Sequence, residues 1–165
     1  MLRAALTTLL LLFALAGCGY KPASAYVKNA LHEKMYVHVD VLLRDPEDAL
    51  LIKDTITHEF ARRFGRFLTH YDEADTKIYV KVRSLSFTTL ERDIYGYVDN
   101  YRTTITLEFD VRGKKRAKIV TSGYYDFAIE PNSIITDALR FRAIEEASSK
   151  AIDKFIARLA YIGAL

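Results

Sequence analysis

The chain has one cysteine, three prolines and seven glycines in 165 residues. A single cysteine excludes a disulfide framework and any zinc site built from several thiolates. Scarce proline and glycine, against 50% hydrophobic residues, exclude a disordered or collagen-like chain. An excess of one charge is also lacking. The 24 Lys+Arg face 21 Asp+Glu, a formal charge of +3, which is too near balance to argue nucleic-acid binding. Beyond residue 17 the apolar residues are dispersed, which excludes a polytopic membrane protein.

Catalytic signatures are missing as well. The histidines are His32, His38, His58 and His70. His58-Glu59 opens a metalloprotease-like pair, but Arg62 stands where a second ligand on that helix face is needed. The glycines are scattered singly, without a nucleophile elbow, a phosphate-binding loop or a dinucleotide fingerprint. Asp72, Glu73 and Asp75 read as solvated turn residues. Glu145 and Glu146 sit beside Arg140, Arg142 and Lys150, where local charge pairing suffices. Nothing visible activates a nucleophile or poises an acid–base pair, so the balance moves from catalysis toward binding.

What is present begins at the N-terminus. Arg3 is followed by an apolar stretch from Ala4 to Leu15 and then by small residues, the layout of a secretory signal over residues 1–17. The stretch ends Leu15-Ala16-Gly17-Cys18 and resembles a bacterial lipoprotein signal, in which the cysteine opens the mature chain and carries diacylglycerol on sulfur and an acyl group on its amine. An uncleaved anchor, or a free thiol beside an ordinary cleavage site, is the plainer alternative. Lipid on Cys18 would tether the chain, each buried methylene adding about 0.8 kcal/mol. Gly19, where an Asp often signals inner-membrane retention, favours the outer membrane and its periplasmic side by the same resemblance.

Residues 18–35 read as the lipidated cysteine and a lead, and residues 36–165 as one α+β domain. Val37, Val39 and Val41 alternate with polar residues as in a half-buried strand. Asp45 and Pro46 suit a helix start, and Ala49, Ile52, Ile56, Phe60, Phe64 and Phe67 recur at helical spacing to about residue 69. Ile78, Val80 and Val82 give way to Leu85 and Phe87, a parity change that predicts a bulge near Arg83 and Ser84. Strands over 101–111 and 117–129 follow, with breaks at 93–100 and 113–115. Ser133 could cap a second helix, whose apolar stripe reads Ile134, Ala138, Phe141, Ile144, Ala147, Ala151, Phe155 and Leu159. The order β-α-β-β-β-α predicts a two-layer sandwich, two long amphipathic helices on a four-stranded, mostly antiparallel, mixed sheet.

The sharpest charge feature is at the last sheet turn. Arg112, Lys114, Lys115, Arg116 and Lys118 put five cations within seven residues. Like charges this close repel, and an anion would relieve them. Two readings stay open: a solubilising hairpin tip that protects the sheet from edge pairing, or a contact for clustered phosphates such as those of lipid A. Arg92, Tyr95, Tyr97 and Tyr101 flank the other turn, and Tyr124 and Tyr125 lie on the last strand. Tyrosine suits an interface or a sugar face, and equally the surface of a sheet.

Cys18-Gly19-Tyr20-Lys21-Pro22 resembles the mature start of the LptE lipopolysaccharide-assembly lipoproteins, and the element order is similar too. The resemblance implies a non-enzymatic role at the outer membrane. It implies a place in the lumen of an LptD-like β-barrel as plug and assembly aid, and contact with lipopolysaccharide. It implies no cofactor beyond the lipid on Cys18, and a membrane bound through that anchor. Basic residues on the family's strand loops are associated with lipopolysaccharide, which here points to Arg92, Arg112, Lys114, Lys115, Arg116 and Lys118. The exported address and the lack of a basic recognition helix argue against nucleic acid. The alternative is a lipoprotein that activates a peptidoglycan synthase. The lead before Tyr36 is short for a tether across the periplasm and is not rich in proline and serine. A hydrolase with dispersed residues is a third reading, which a pocket gathering His and acidic side chains would revive.

Overall fold

In the computed structural model the described residues are 34–41, 46–92, 94–113, 116–130 and 133–164. The signal, Cys18, the lead before residue 34, Asp45, Lys114 and Lys115 lie outside them. The elements are β1 (Met35–Val41), α1 (Pro46–Phe64), β2 (Thr76–Arg92), β3 (Val98–Arg112), β4 (Arg116–Ala128) and α2 (Asp137–Ala164). Short 3-10 turns at Gly65–Phe67 and Tyr71–Glu73 join α1 to β2. The strands lie side by side in chain order, β1 parallel to β2 and the rest antiparallel. This is the α+β architecture that the sequence periodicity predicts.

Period-two alternation divides the sheet. Val39, Val80, Phe109 and Ile119 form one row across all four strands, and all four are buried. The register shift between Val82 and Ser84 is the predicted bulge. Beyond it Leu85 and Phe87 return to the same face and pack against the core. Both helices cover that face. Phe60 of α1 and Phe155 of α2 meet over Phe109, Phe155 stacking on it at 4.0 Å between ring centroids and Phe60 lying 6.3 Å from each.

Gly123 sets how close α2 comes. A Cβ there would stand 1.9 Å from the Ala147 carbonyl oxygen and 2.6 Å from the Ala151 nitrogen, so backbone lies against backbone. Small residues on the helix make the approach possible: Ala143, Ala147 and Ala151 are fully buried. Thr121 Oγ1 donates to the Ala151 carbonyl at 2.7 Å. Lys154 donates to the Ser122 carbonyl at 2.7 Å, and Arg158 to that of Val120. Side chains of α2 thus occupy carbonyls of the edge strand β4, a device against strand addition.

Several boundaries differ from the sequence reading. The first helix ends at Phe64, not near 69, because Gly65 is a weak helix former and the chain tightens into a 3-10 turn. β2 and β3 extend to Arg92 and Val98, leaving a tight turn in which Gly96 adopts φ +87°. The second helix starts at Asp137. Its cap is Thr136, whose Oγ1 accepts the Leu139 N–H at 3.3 Å, while the Ser133 hydroxyl donates to the Glu130 carbonyl at 2.6 Å. Ile134 precedes the helix and is 81% exposed, and Ala138 and Phe141 are exposed as well. Fully buried positions on α2 begin at Ala143 and Ile144, while half-buried Leu139, which lies off the predicted stripe, already packs against the cluster of Phe127 and Ile129.

One buried charge was not legible as such. Glu59 is 4% exposed and accepts from Arg62 at 2.9 Å and from Arg63. Arg63 also donates to Asp153 at 2.7 Å and to Ser149 Oγ at 2.9 Å, tying α1 to α2. A buried carboxylate held by two guanidiniums costs most when one partner is removed.

Gly123→Ala should destabilise the protein by about 3 kcal/mol in urea unfolding, because backbone must move to admit the methyl group. Gly65→Ala, with nothing within 4 Å of its Cβ, should change stability by less than about 1 kcal/mol.

Candidate functional site

The same alternation that buries one face turns the other outward, and no helix of the described residues packs on it. Tyr36, His38 and Asp40 project there from β1, and Lys77, Tyr79 and Lys81 from β2. Arg102, Thr104, Thr106, Glu108, Asp110 and Arg112 project from β3, and Lys118, Val120, Ser122, Tyr124 and Asp126 from β4. Polar and aromatic side chains dominate this surface, and cross-strand register brings opposite charges together.

Glu108 is the hub. It is 8% exposed, accepts from Arg83 Nε at 2.6 Å and takes Lys118 Nζ at 2.8 Å. Those contacts, Lys118 first and then Arg83, hold its carboxyl below the usual carboxylate value. Arg102 grips Asp126 through two hydrogen bonds of 2.7 and 2.6 Å, which lowers the Asp126 carboxyl and raises the guanidinium. Arg112 donates from Nε and Nη2 to one oxygen of Asp110, Oδ2, at 2.9 and 2.6 Å, which raises its guanidinium. The Thr106 and Ser122 hydroxyls hydrogen-bond at 2.9 Å. Arg102 also lies over the Tyr124 ring at 4.4 Å and Arg112 over Tyr79 at 4.5 Å.

The cations singled out from the sequence fall at two ends of this face. Arg92 closes β2 and donates to the Gly96 carbonyl at 2.9 Å, bracing the β2–β3 turn. Arg112 closes β3, Arg116 opens β4 opposite it, and Lys118 follows two residues on. Lys114, Lys115 and Cys18 lie outside the described residues. The sheet therefore separates Arg92 from the cluster by the length of β3. It also supplies the relief that the crowded cations need: Asp110 for Arg112 and Glu108 for Lys118. Sequence reading missed these partners, because pairing Lys118 with Glu108 requires the β3–β4 register. The turn tyrosines Tyr95 and Tyr97 are 80% and 50% exposed, whereas Tyr101 stacks on Phe127 on the helix side.

An open depression between the helices gathers His58, Glu59, Glu145, Glu146 and Ser149. Its buried carboxylate, Glu59, is ion-paired with Arg62 and Arg63. Among the described residues no three His, Cys, Asp or Glu are grouped to hold a metal, and no described helix is long and apolar enough to cross a membrane.

An open α+β sheet with one helix-covered face and one charge-paired polar face defines a surface-presenting module. The model of the LptE family, lipopolysaccharide-assembly, matches residues 24–159, and the chain belongs to that family. Its class is thus lipopolysaccharide assembly. No curated protein matches the chain in sequence. Among solved structures, it resembles a Caulobacter crescentus CB15 protein with a TM-score of 0.50 at 11% identity, over 86% of this chain and 98% of that one. It also resembles the rare lipoprotein B of Shewanella oneidensis with a TM-score of 0.50 at 13% identity, over 77% and 98%. At such identities the likeness speaks for the fold alone.

The lowered carboxyls give the face an acid dependence. A depressed carboxylate contributes stability that is present above its unfolded value and lost as pH falls through its folded one. Urea midpoints should therefore hold above about pH 5 and fall below about pH 4. In Glu108→Gln with Asp126→Asn the protein should be less stable at neutral pH and its acid slope shallower. An unchanged slope would contradict the pairing.

Proposed function

We propose that the chain is an outer-membrane lipoprotein that seats in an LptD-like β-barrel and contacts lipopolysaccharide during its insertion into the outer leaflet. The observation that carries this reading is the family match over residues 24–159, joined to the charge-paired sheet face. A barrel lumen is polar and offers hydrogen-bonding partners across a broad wall. A plug surface must match it without stranding unpaired charge, and the pairs on Glu108, Asp110 and Asp126 meet that demand.

Leu15-Ala16-Gly17-Cys18 supports cleavage before Cys18 and lipidation of that residue. The mechanism is positional. Acyl chains hold the protein at the inner leaflet, barrel contacts fix its orientation, and cations at the β3–β4 end face phosphates. No catalytic step and no cofactor other than the lipid belongs to this reading.

Native purification in mild detergent should bring down a β-barrel of the outer membrane with the chain. Recovery of the chain alone, from cells that assemble lipopolysaccharide normally without it, would contradict the proposal. Mass spectrometry of the native product should find lipid on Cys18, and Cys18→Ala should move the protein from the membrane to the soluble fraction. An unmodified cysteine on membrane-bound protein would remove the anchor from the mechanism.

A further inference from the structure

The two edges of the sheet differ. At β4, Lys154 and Arg158 of α2 donate to the Ser122 and Val120 carbonyls. At β1, the outer side is met at the first residue, where Met35 bridges to Leu68 and its carbonyl accepts the Thr69 N–H at 2.9 Å. The Lys34 carbonyl instead accepts from Thr76 of β2 at 3.1 Å. Backbone groups of successive residues point to opposite sides of a strand, so those of Val37, Val39 and Val41 point outward as Met35 does. Among the described residues no backbone hydrogen bond reaches these three from that side. Such a row is a template for another strand.

The surroundings of this edge define the strand that fits. On the helix side Val37 and Val41 are half-buried and pack against the core. A groove of about 190 Å³ lies beside them, lined by Tyr36, Val37, Thr57, Phe60, Leu68 and Thr69. A residue paired with Val37 shares its face and points into that groove. On the other side His38 and Asp40 are exposed, with Tyr79 and Lys81 of β2 as their in-chain neighbours. An added strand therefore needs an acid opposite His38, a proton donor opposite Asp40 and an apolar residue opposite Val37.

β1 meets these demands itself. Laid antiparallel on a second copy about a two-fold axis through Val39, it sets Val37 against the partner's Val41 and His38 against the partner's Asp40, each twice. The His and Asp then face each other at the non-hydrogen-bonded positions, where opposed side chains lie closest. Sliding by two residues would set His38 against His38 or Asp40 against Asp40, and sliding by one would turn one copy over.

We propose that β1 is a self-pairing edge through which two copies of the chain join their sheets, each Val41 entering the groove beside the partner's Val37. About six backbone hydrogen bonds form across the axis. The joined sheet keeps the helices of both copies on one side and both charge-paired faces on the other. An edge this short makes a transient pair. It is a form of the chain before it seats on a partner, and it protects β1 from unspecific strand addition as α2 protects β4.

The test is sedimentation of the full chain in density-matched neutral detergent across a hundred-fold dilution, with hydrogen exchange read at Val37, Val39 and Val41. The mass should fall from two chains to one on dilution, and the three amides should exchange faster as it does. His38→Asp opposes two acids at both ends and should weaken the pair by about ten-fold. Adding Asp40→Lys to it restores opposite charges and should return the affinity to within about three-fold of wild type. Circular dichroism checks folding, and Asp40→His, which opposes two imidazoles, carries the test if His38→Asp does not fold. A chain that is single at every concentration overturns the pairing. Protection of the three amides at every dilution would then assign the edge to a segment of the same chain. A pair that keeps wild-type affinity in the folded charge variants overturns the β1 register. The lipopolysaccharide-assembly reading stands under each of these results.

Discussion

Backbone contact between α2 and β4 at Gly123 is the constraint on which the rest of the architecture depends. With no side chain on Gly123, the Ala147 and Ala151 turns of α2 settle onto the strand. That depth lets Phe155 reach Phe109 in the sheet and Phe60 on the other helix. It also carries Lys154 and Arg158 to the carbonyls of the edge strand. One face of the sheet is sealed and one edge is occupied, so the open face is left as the broad polar surface. Packing this close is expensive to disturb, since protein interiors relax little around an inserted atom.

The open face follows a different logic. The Arg102–Asp126 and Arg112–Asp110 pairs are exposed and contribute little to folding in water, whereas the Glu108 carboxylate is buried against Arg83 and Lys118. Their consequence is chemical. Glu108, Asp110 and Asp126 pair with Arg83, Lys118, Arg112 and Arg102, so each of these charges has an opposite neighbour and the group as a whole is left one charge positive. Toward the β1 start and the β3–β4 turn this balance gives way to rings and cations. A charge-paired middle suits a wall of mixed polarity. The pairing comes from one strand register, because shifting β3 by one residue would send Glu108 and Asp110 to the helix side.

Much of the fold was legible in the sequence because its alternations are strict. Ile78-x-Val80-x-Val82 and Ile105-x-Leu107-x-Phe109 could face only one way, and the parity change to Leu85 located the bulge before any register was known. Helix ends were less legible, since competing residues could serve: Thr136 caps α2 although Ser133 has the same chemistry three residues earlier. Ile134 and Phe141 carried the apolar period onto exposed positions, while Leu139 between them packs against the Phe127 cluster, and periodicity alone cannot see which side of a helix end meets its partner. At the candidate site the cations were visible as a run, but their carboxylates were not, because Lys118 and Glu108 meet only across strands.

The central claim is that the sheet face opposite α1 and α2 is the surface that meets the barrel. Photoreactive residues at Ser86 and Thr104, paired neighbours on that face, can be compared in living cells with ones at Lys53 and Asp54, exposed on α1. The account predicts adducts to an outer-membrane β-barrel from Ser86 and Thr104, with few from Lys53 and Asp54. Adducts confined to the α1 positions, with none from the sheet, would contradict it.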